Sequence, residues 1–170
     1  MIVNQVTSTV GGRCNMRPSI DEWALRLALL TAQRTTCKRR SVGCVLLNAR
    51  GHVLATGYNG VASGRPHCNE PTTIFALQKS WAEHGCSGAN AASGTMLDAC
   101  QAIHAEQNAL LQCRDVYEID TCYVTTSPCV TCVKLLMNTS CRRIVFCEEY
   151  PQPEAAQLWP HEWVKYEIKV

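Results

Sequence analysis

The spacing of apolar positions changes along the chain, and each change marks an element. At Pro18-Ser19-Ile20-Asp21-Glu22 the Ser-x-x-Glu spacing forms a capping box, in which Ser19 accepts the Glu22 N–H and the Glu22 side chain reaches back. This predicts a helix running to about Thr35, with Trp23, Leu27 and Leu30 at i, i+4 and i+7 as its core-facing stripe. The period then shortens. Val42 to Leu47 is β-rich, Asn48-Ala49-Arg50-Gly51 turns the chain, and His52 to Gly57 returns, which predicts an antiparallel hairpin. Further on, the pattern predicts a helix from His104 to about Cys113, a strand over Thr121–Thr126, a helix from Cys129 to Asn138 and a strand over Arg143–Cys147. A short helix over Pro153–Trp159 and a closing strand over Tyr166–Val170 complete the order. Such alternation predicts an α/β fold with a central mixed sheet flanked by helices.

Two stretches stand outside this alternation. Residues 1–17 are polar, contain Gly11-Gly12 and show no period, and so read as an N-terminal arm ahead of a single domain over 18–170. Residues 61–100 read as an insertion. Ile74, Leu77 and Trp81 at helical spacing predict a short amphipathic helix over Thr73–Glu83, capped at Gly85 and followed by a loop of small residues.

Composition narrows the class. With 170 residues and 46% apolar content the chain suits one domain with one core. A formal charge of +2 argues against a nucleic-acid wrapper, and Lys38-Arg39-Arg40 and Arg142-Arg143 lack interleaved aromatics, so both read as solvated turns. Twelve cysteines raise the question of disulfides, but Met1 to Arg17 carries no apolar secretory segment. Reduced thiols and a cytoplasmic setting are expected. No apolar run approaches the roughly 20 residues needed to cross a bilayer, and the longest candidate, Trp23 to Leu30, is broken by Arg26. Cys14, Cys37, Cys44, Cys113, Cys122, Cys141 and Cys147 lack ligand spacing and read as small buried hydrophobes.

The chemistry concentrates in Ile103-His104-Ala105-Glu106 and Ser127-Pro128-Cys129-Val130-Thr131-Cys132. A zinc ion that activates water needs three protein ligands and one open position; His104, Cys129 and Cys132 supply the ligands and leave Glu106 as a proton carrier. Each half alone is a weak signal, since Cys-x-x-Cys also serves redox pairs and structural zinc. A closed knuckle with Cys86 or Cys100 as fourth ligand is the competing reading, but it has no need of an acid beside the histidine. If both ligand groups open helices, two N-termini converge on the metal and favour the thiolates. Glu106 then stands where it can carry a proton to the nitrogen leaving an amidine-like carbon. The conjunction is the His-x-Glu with Pro-Cys-x-x-Cys signature of the zinc-dependent nucleobase deaminases.

Gly57-Tyr58-Asn59-Gly60, His104 to Leu110, Tyr123-Val124-Thr125 and Ser127 to Cys132 together resemble the deoxycytidylate deaminases of the cytidine/deoxycytidylate deaminase superfamily, over roughly residues 20 to 150. The resemblance implies a three-layer α/β/α fold and hydrolysis of dCMP to dUMP for thymidylate synthesis. It also implies His104, Cys129 and Cys132 as zinc ligands, Glu106 as proton shuttle, Asn59 at the sugar, and the backbone of Ala105 and Ser127 at the base. Family members are commonly hexamers, activated by dCTP with Mg2+ and inhibited by dTTP, which makes Tyr58, Gly60, Arg65 and Arg114 candidate effector or phosphate residues. Many microbial members hold a second, structural zinc in the insertion; its candidates are Cys68, Cys86, Cys100 and His67, with His84 as a substitute for His67. The chain departs from the family pattern at Val61-Ala62, where Ser-Pro is common, and at Gln101-Ala102-Ile103, where Arg-Thr is common. The alternatives are a deaminase of dCTP or of a modified dCMP, and a competence-type zinc protein that handles nucleic acid. Glu106 speaks against the last, because binding alone needs no proton shuttle.

Overall fold

A computed structural model describes residues 17–65, 67, 68, 92, 95 and 100–168. The predicted arm, apart from Arg17, and the predicted helix over Thr73–Glu83 lie outside the described residues.

Helix α1 spans Ile20–Ala32 and starts at Ser19, whose Oγ accepts the Glu22 N–H at 3.1 Å. Glu22 does not reach back as the capping box requires; its carboxylate pairs with Arg26 one turn on, at 2.8 Å. The predicted core stripe is corrected in part: Leu27 packs against the core on the α1 side as expected. Ala24, Leu25, Ala28 and Ala32 are buried, while Trp23 and Leu30 remain 39% and 60% exposed. Backbone proximity explains the exchange, because a Cβ on Gly43 of the adjoining strand would overlap the Ala28 carbonyl and the Ala32 amide. A helix seated that closely on a sheet admits alanines at the closest contact, with Leu25 buried beside them and Trp23 and Leu30 turned aside.

The main sheet contains β1 (Gly43–Leu47), β2 (Val53–Tyr58), β5 (Thr121–Thr126), β6 (Arg143–Glu148) and β7 (Glu162–Lys165), in the order β2-β1-β5-β6-β7. β2, β1 and β5 pair antiparallel, whereas β5, β6 and β7 run parallel. Alternate residues of β1 enter different cores. Cys44 and Leu46 pack with α2 (Ala105–Gln112), α3 (Val130–Leu136) and α4 (Glu154–Leu158), while Val45 and Leu47 pack with α1. The result is a three-layer α/β/α arrangement, and it leaves every residue of β1 and β5 buried. A small ladder of β3 (Gly60–Val61) and β4 (Ala102–Ile103) closes the ends of the insertion and sets His104 beside the end of β2.

The closing strand is four residues earlier than expected, at Glu162–Lys165 instead of Tyr166–Val170. Trp163 takes the core position, 5.3 Å from the Phe146 ring, and the Trp159 indole donates to the Glu162 carbonyl at 3.0 Å to start the strand. Tyr166 and Ile168 pack on the α1 side without strand structure, and residues 169–170 lie outside the described set. Cys37, Cys44, Cys122 and Cys141 are buried free thiols as expected, with Cys44 and Cys122 sulfurs 3.6 Å apart; Cys113 and Cys147 are half-buried, and Cys14 is outside the described residues. No helix among the described residues is long and apolar enough to cross a membrane.

Candidate active site

Both ligand groups sit at helix N-termini. His104 is the N-cap of α2, and Gln107 in the first turn accepts the His104 backbone N–H on its side-chain oxygen at 2.9 Å. Cys129 is the N-cap of α3, and Cys132 follows one turn later; the Gln152 side chain accepts the Val130 N–H at 3.2 Å. Gly57 makes the approach possible, since a Cβ there would overlap the Ala105 carbonyl and the Ala109 amide of α2. Asn108 ties the same two elements together by donating to the Tyr58 carbonyl at 2.8 Å.

These supports bring His104 Nδ1 to 3.4 Å from Cys129 Sγ and 3.5 Å from Cys132 Sγ. Among the described residues these three form the one group of three or more metal-ligating side chains with mutually close donor atoms, all within 4.8 Å. The donor set passes a geometric test for zinc. Metal–nitrogen and metal–sulfur bonds of about 2.05 and 2.3 Å at tetrahedral angles separate nitrogen from sulfur by about 3.5 Å.

Glu106 lies one position into α2 and is 3% exposed. Burial pushes its carboxyl up to about 7, against the opposing pull of His104. Cys129 is brought down to about 4, chiefly by a hydrogen bond with the Cys132 side chain and further by His104 and the Cys132 amide. Its partner Cys132 moves upward, driven first by its hydrogen bond with the Cys129 side chain and then by burial. The histidine is raised, first by its bond to Cys129.

The remaining sequence candidates fall in different places. Asn59 is buried, and its amide is largely occupied within the protein. The oxygen accepts from Thr35 Oγ1 at 2.7 Å and the Val42 N–H at 2.8 Å, and Nδ2 donates to the Arg40 carbonyl at 2.8 Å. Ser127 donates its N–H to the Glu148 carbonyl and accepts the Tyr150 N–H on Oγ, both at 2.8 Å. Ala105 is fully buried at the first position of α2. Tyr58 ends β2, and Gly60 faces the Thr36 hydroxyl so closely that a Cβ would crowd it. Arg65 lies on the exposed turn after β3, and Arg114 follows α2 at the end away from His104. His67, Cys68 and Cys100 are described, whereas Cys86 and His84 lie outside the described residues.

Sequence reasoning missed Gln107, Asn108, Gln152 and Thr35, which hold the site rather than form it. Gln107 alone carried a local signal, standing three residues after the N-cap.

The sequence pattern of the cytidine and deoxycytidylate deaminase zinc-binding region matches residues 18–148. A deoxycytidylate deaminase of Mycobacterium phage D29 is 36% identical over 135 residues, covering 78% of this chain and 98% of the phage protein. One from Schizosaccharomyces pombe is 37% identical over 138 residues, covering 79% of this chain, which spans only 38% of the yeast protein's length. A solved dCMP deaminase from cyanophage S-TIM5, in complex with dCMP and dUMP, superposes with a TM-score of 0.61 at 26% identity, over 88% of this chain and 98% of that one.

Proposed function

Because the chain belongs to the cytidine and deoxycytidylate deaminase zinc-binding family, we propose that it hydrolyses dCMP to dUMP and ammonia. The observation that carries this reading is the buried Glu106 carboxyl beside the His104, Cys129 and Cys132 donor set. The phage relatives of matching length, named for dCMP, favour the monophosphate over other cytosine nucleotides.

His104, Cys129 and Cys132 hold zinc, which when bound supplies a water acidified toward neutrality. The reaction adds water at C4 of the pyrimidine and expels the exocyclic amine. Glu106 takes a proton as the new C–O bond forms and returns it to the departing nitrogen, a shuttle suited to a carboxyl held at about 7. Ala105, whose amide opens α2 and has no intrahelical acceptor, donates to the base carbonyl. The Ser127 carbonyl, an acceptor as the amine's N–H groups require, meets the exocyclic amine. Asn59 has one Nδ2 hydrogen left for the sugar.

The same reading extends to a single domain over 18–170 behind an N-terminal arm, acting in the cytoplasm as a homo-oligomer of hexameric type and feeding thymidylate synthesis. dCTP with Mg2+ activates it and dTTP inhibits it through the region of Tyr58, Gly60, Arg65 and Arg114; the insertion holds a structural zinc on His67, Cys68, Cys86 and Cys100. The test is steady-state deamination of dCMP, dCTP and cytidine by the purified protein, with and without dCTP–Mg2+ or dTTP. Zinc per chain and molar mass are measured on the same sample. Selective dCMP turnover supports the reading, and zinc-loaded protein inert toward all three refutes it.

A further inference from the structure

We propose that Gln152, set in the turn Pro151-Gln152-Pro153, is the positioning residue for both sulfur ligands, an inference that rests on the reading of His104, Cys129 and Cys132 as the zinc-holding set. Its amide oxygen does for the first turn of α3 what the Cys129 side chain cannot do while it serves a metal.

A helix N-cap ordinarily offers its own side chain to the first-turn N–H groups. Cys129 occupies that position in α3 with its sulfur 3.4 Å from His104 Nδ1. The Val130 N–H donates instead to Gln152 Oε1 at 3.2 Å, an acceptor 22 residues further along the chain. The segment ahead of Cys129 is tied to the same loop. Ser127 donates its N–H to the Glu148 carbonyl and accepts the Tyr150 N–H on Oγ, each at 2.8 Å. Pro128 has no N–H to give. Residues 127–130 are therefore bonded to residues 148–152 at both ends, with the first sulfur ligand between them. Cys132 moves with it, because the Val133 N–H closes the first turn on the Cys129 carbonyl at 2.9 Å.

The loop that supplies the acceptor is stiff. Pro151 has a fixed φ, and Pro153 confines the residue before it to extended backbone. Gln152 donates its N–H to the Tyr150 carbonyl at 2.7 Å, and its carbonyl accepts the Ala155 N–H at 3.0 Å where α4 begins. Both prolines are exposed while Gln152 is half-buried, so the turn sends this one side chain inward. Burial of Cys132, Val133 and Leu136 holds α3 on the sheet, but apolar contact has no direction. The hydrogen bond from Val130 supplies the direction of the first turn. Gln107 serves His104 from within its own helix, whereas Gln152 reaches the sulfur side of the site from a separate loop.

The experiment measures zinc affinity by chelator competition and the visible absorption of Co2+ bound in place of zinc. The proteins are the wild type, Gln152→Met, Gln152→Glu and Pro153→Ala, with thermal melting and with kcat and KM for dCMP on the zinc-loaded forms. Methionine keeps the length and removes the acceptor; glutamate keeps an acceptor that a helix N-terminus favours. Gln152→Met is expected to bind zinc on the order of 10-fold more weakly, to shift the Co2+ absorption and to lower kcat more than it raises KM. Gln152→Glu recovers most of the affinity and the wild-type Co2+ spectrum. Pro153→Ala, which only loosens the turn, loses about 2- to 5-fold in affinity. Unchanged zinc affinity and Co2+ absorption in Gln152→Met overturn the assignment, even if melting falls, as does a Gln152→Glu that recovers nothing. An unaffected Pro153→Ala overturns the part given to the turn. Zinc-loaded wild type inert toward dCMP overturns the deamination reading, while the zinc and Co2+ measurements still decide the role of Gln152. A wild type that binds neither metal overturns both.

Discussion

The Gln107 side-chain oxygen accepts the His104 backbone N–H at 2.9 Å, so the residue that closes the first turn of α2 also fixes the backbone of a metal ligand. Gln107→Ala removes that acceptor and is expected to cost about 1 kcal/mol of stability, the usual loss for a helix-terminal cap. Metal affinity should fall with it, because the ring can no longer be held in one orientation at no further cost. Chelator competition reads the affinity and thermal melting reads the stability. Gln107→Glu keeps the acceptor and should recover most of both; a zinc affinity unaffected in Gln107→Ala would show that the cap is not what orients His104.

Gly57 lies under α2 with no room for a methyl group, its Cβ position overlapping the Ala105 carbonyl and the Ala109 amide. Gly57→Ala must lift the helix from β2, and a backbone displacement of this kind costs on the order of 1–3 kcal/mol or more. The same movement carries His104 away from Cys129 and Cys132, so the expected result is loss of bound zinc together with a lower melting temperature. Gly64→Ala is the contrasting variant. Its φ of 80° is strained for alanine but nothing lies within 4 Å, so it should cost about 1 kcal/mol and leave the zinc content alone.

Asp21 anchors the start of α1 to the sheet by a two-pronged pair with Arg143, one contact being 2.6 Å and the other 2.8 Å, and it accepts from the Tyr123 hydroxyl at 2.7 Å. The Arg143 hydrogen bonds hold its carboxyl below the usual range, with burial opposing them and Tyr123 helping. A folded value below the unfolded one means that the contribution is complete above about pH 4 to 5 and is lost as pH falls through the folded value. Asp21→Asn should therefore be less stable than the wild type by about 1 kcal/mol at neutral pH, the partial exposure of the pair limiting the effect. Denaturant titrations should show a constant gap from pH 7 to about 5 that narrows on further acidification. A gap that widened toward low pH would have the wrong sign for this pair.

Elements whose signal is local were legible in the sequence. The strand over Thr121–Thr126 has the predicted bounds, and the starts of α2 and α3 follow from their caps. The family relationship and the closeness of His104, Cys129 and Cys132 were also legible, because three ligands of one metal must meet. What failed depended on contacts between distant segments. Trp23 and Leu30 looked like core by period alone, and only the tight seat of α1 on Gly43 turns them outward. The closing strand slipped because Trp163, and not the alternating Tyr166 and Ile168, meets Phe146. Two departures from the family pattern prove to be neighbours, since Val61 pairs with Ala102 in the small ladder.

Glu106 provides the sharpest test of the chemistry, because its position and its burial pull in different directions. A carboxyl that is 3% exposed costs stability when charged, and burial accordingly raises it to about 7. Protein stability alone would favour an amide or an apolar residue here. Glu106→Gln should therefore keep the fold, match or exceed the wild-type melting temperature and retain zinc on His104, Cys129 and Cys132. Turnover should drop by about 100- to 10,000-fold, the range expected when a positioned proton carrier is lost. The pair of outcomes matters more than either alone. Lost turnover with lost zinc would place Glu106 in the support of the metal site, whereas retained turnover would mean that another group moves the proton.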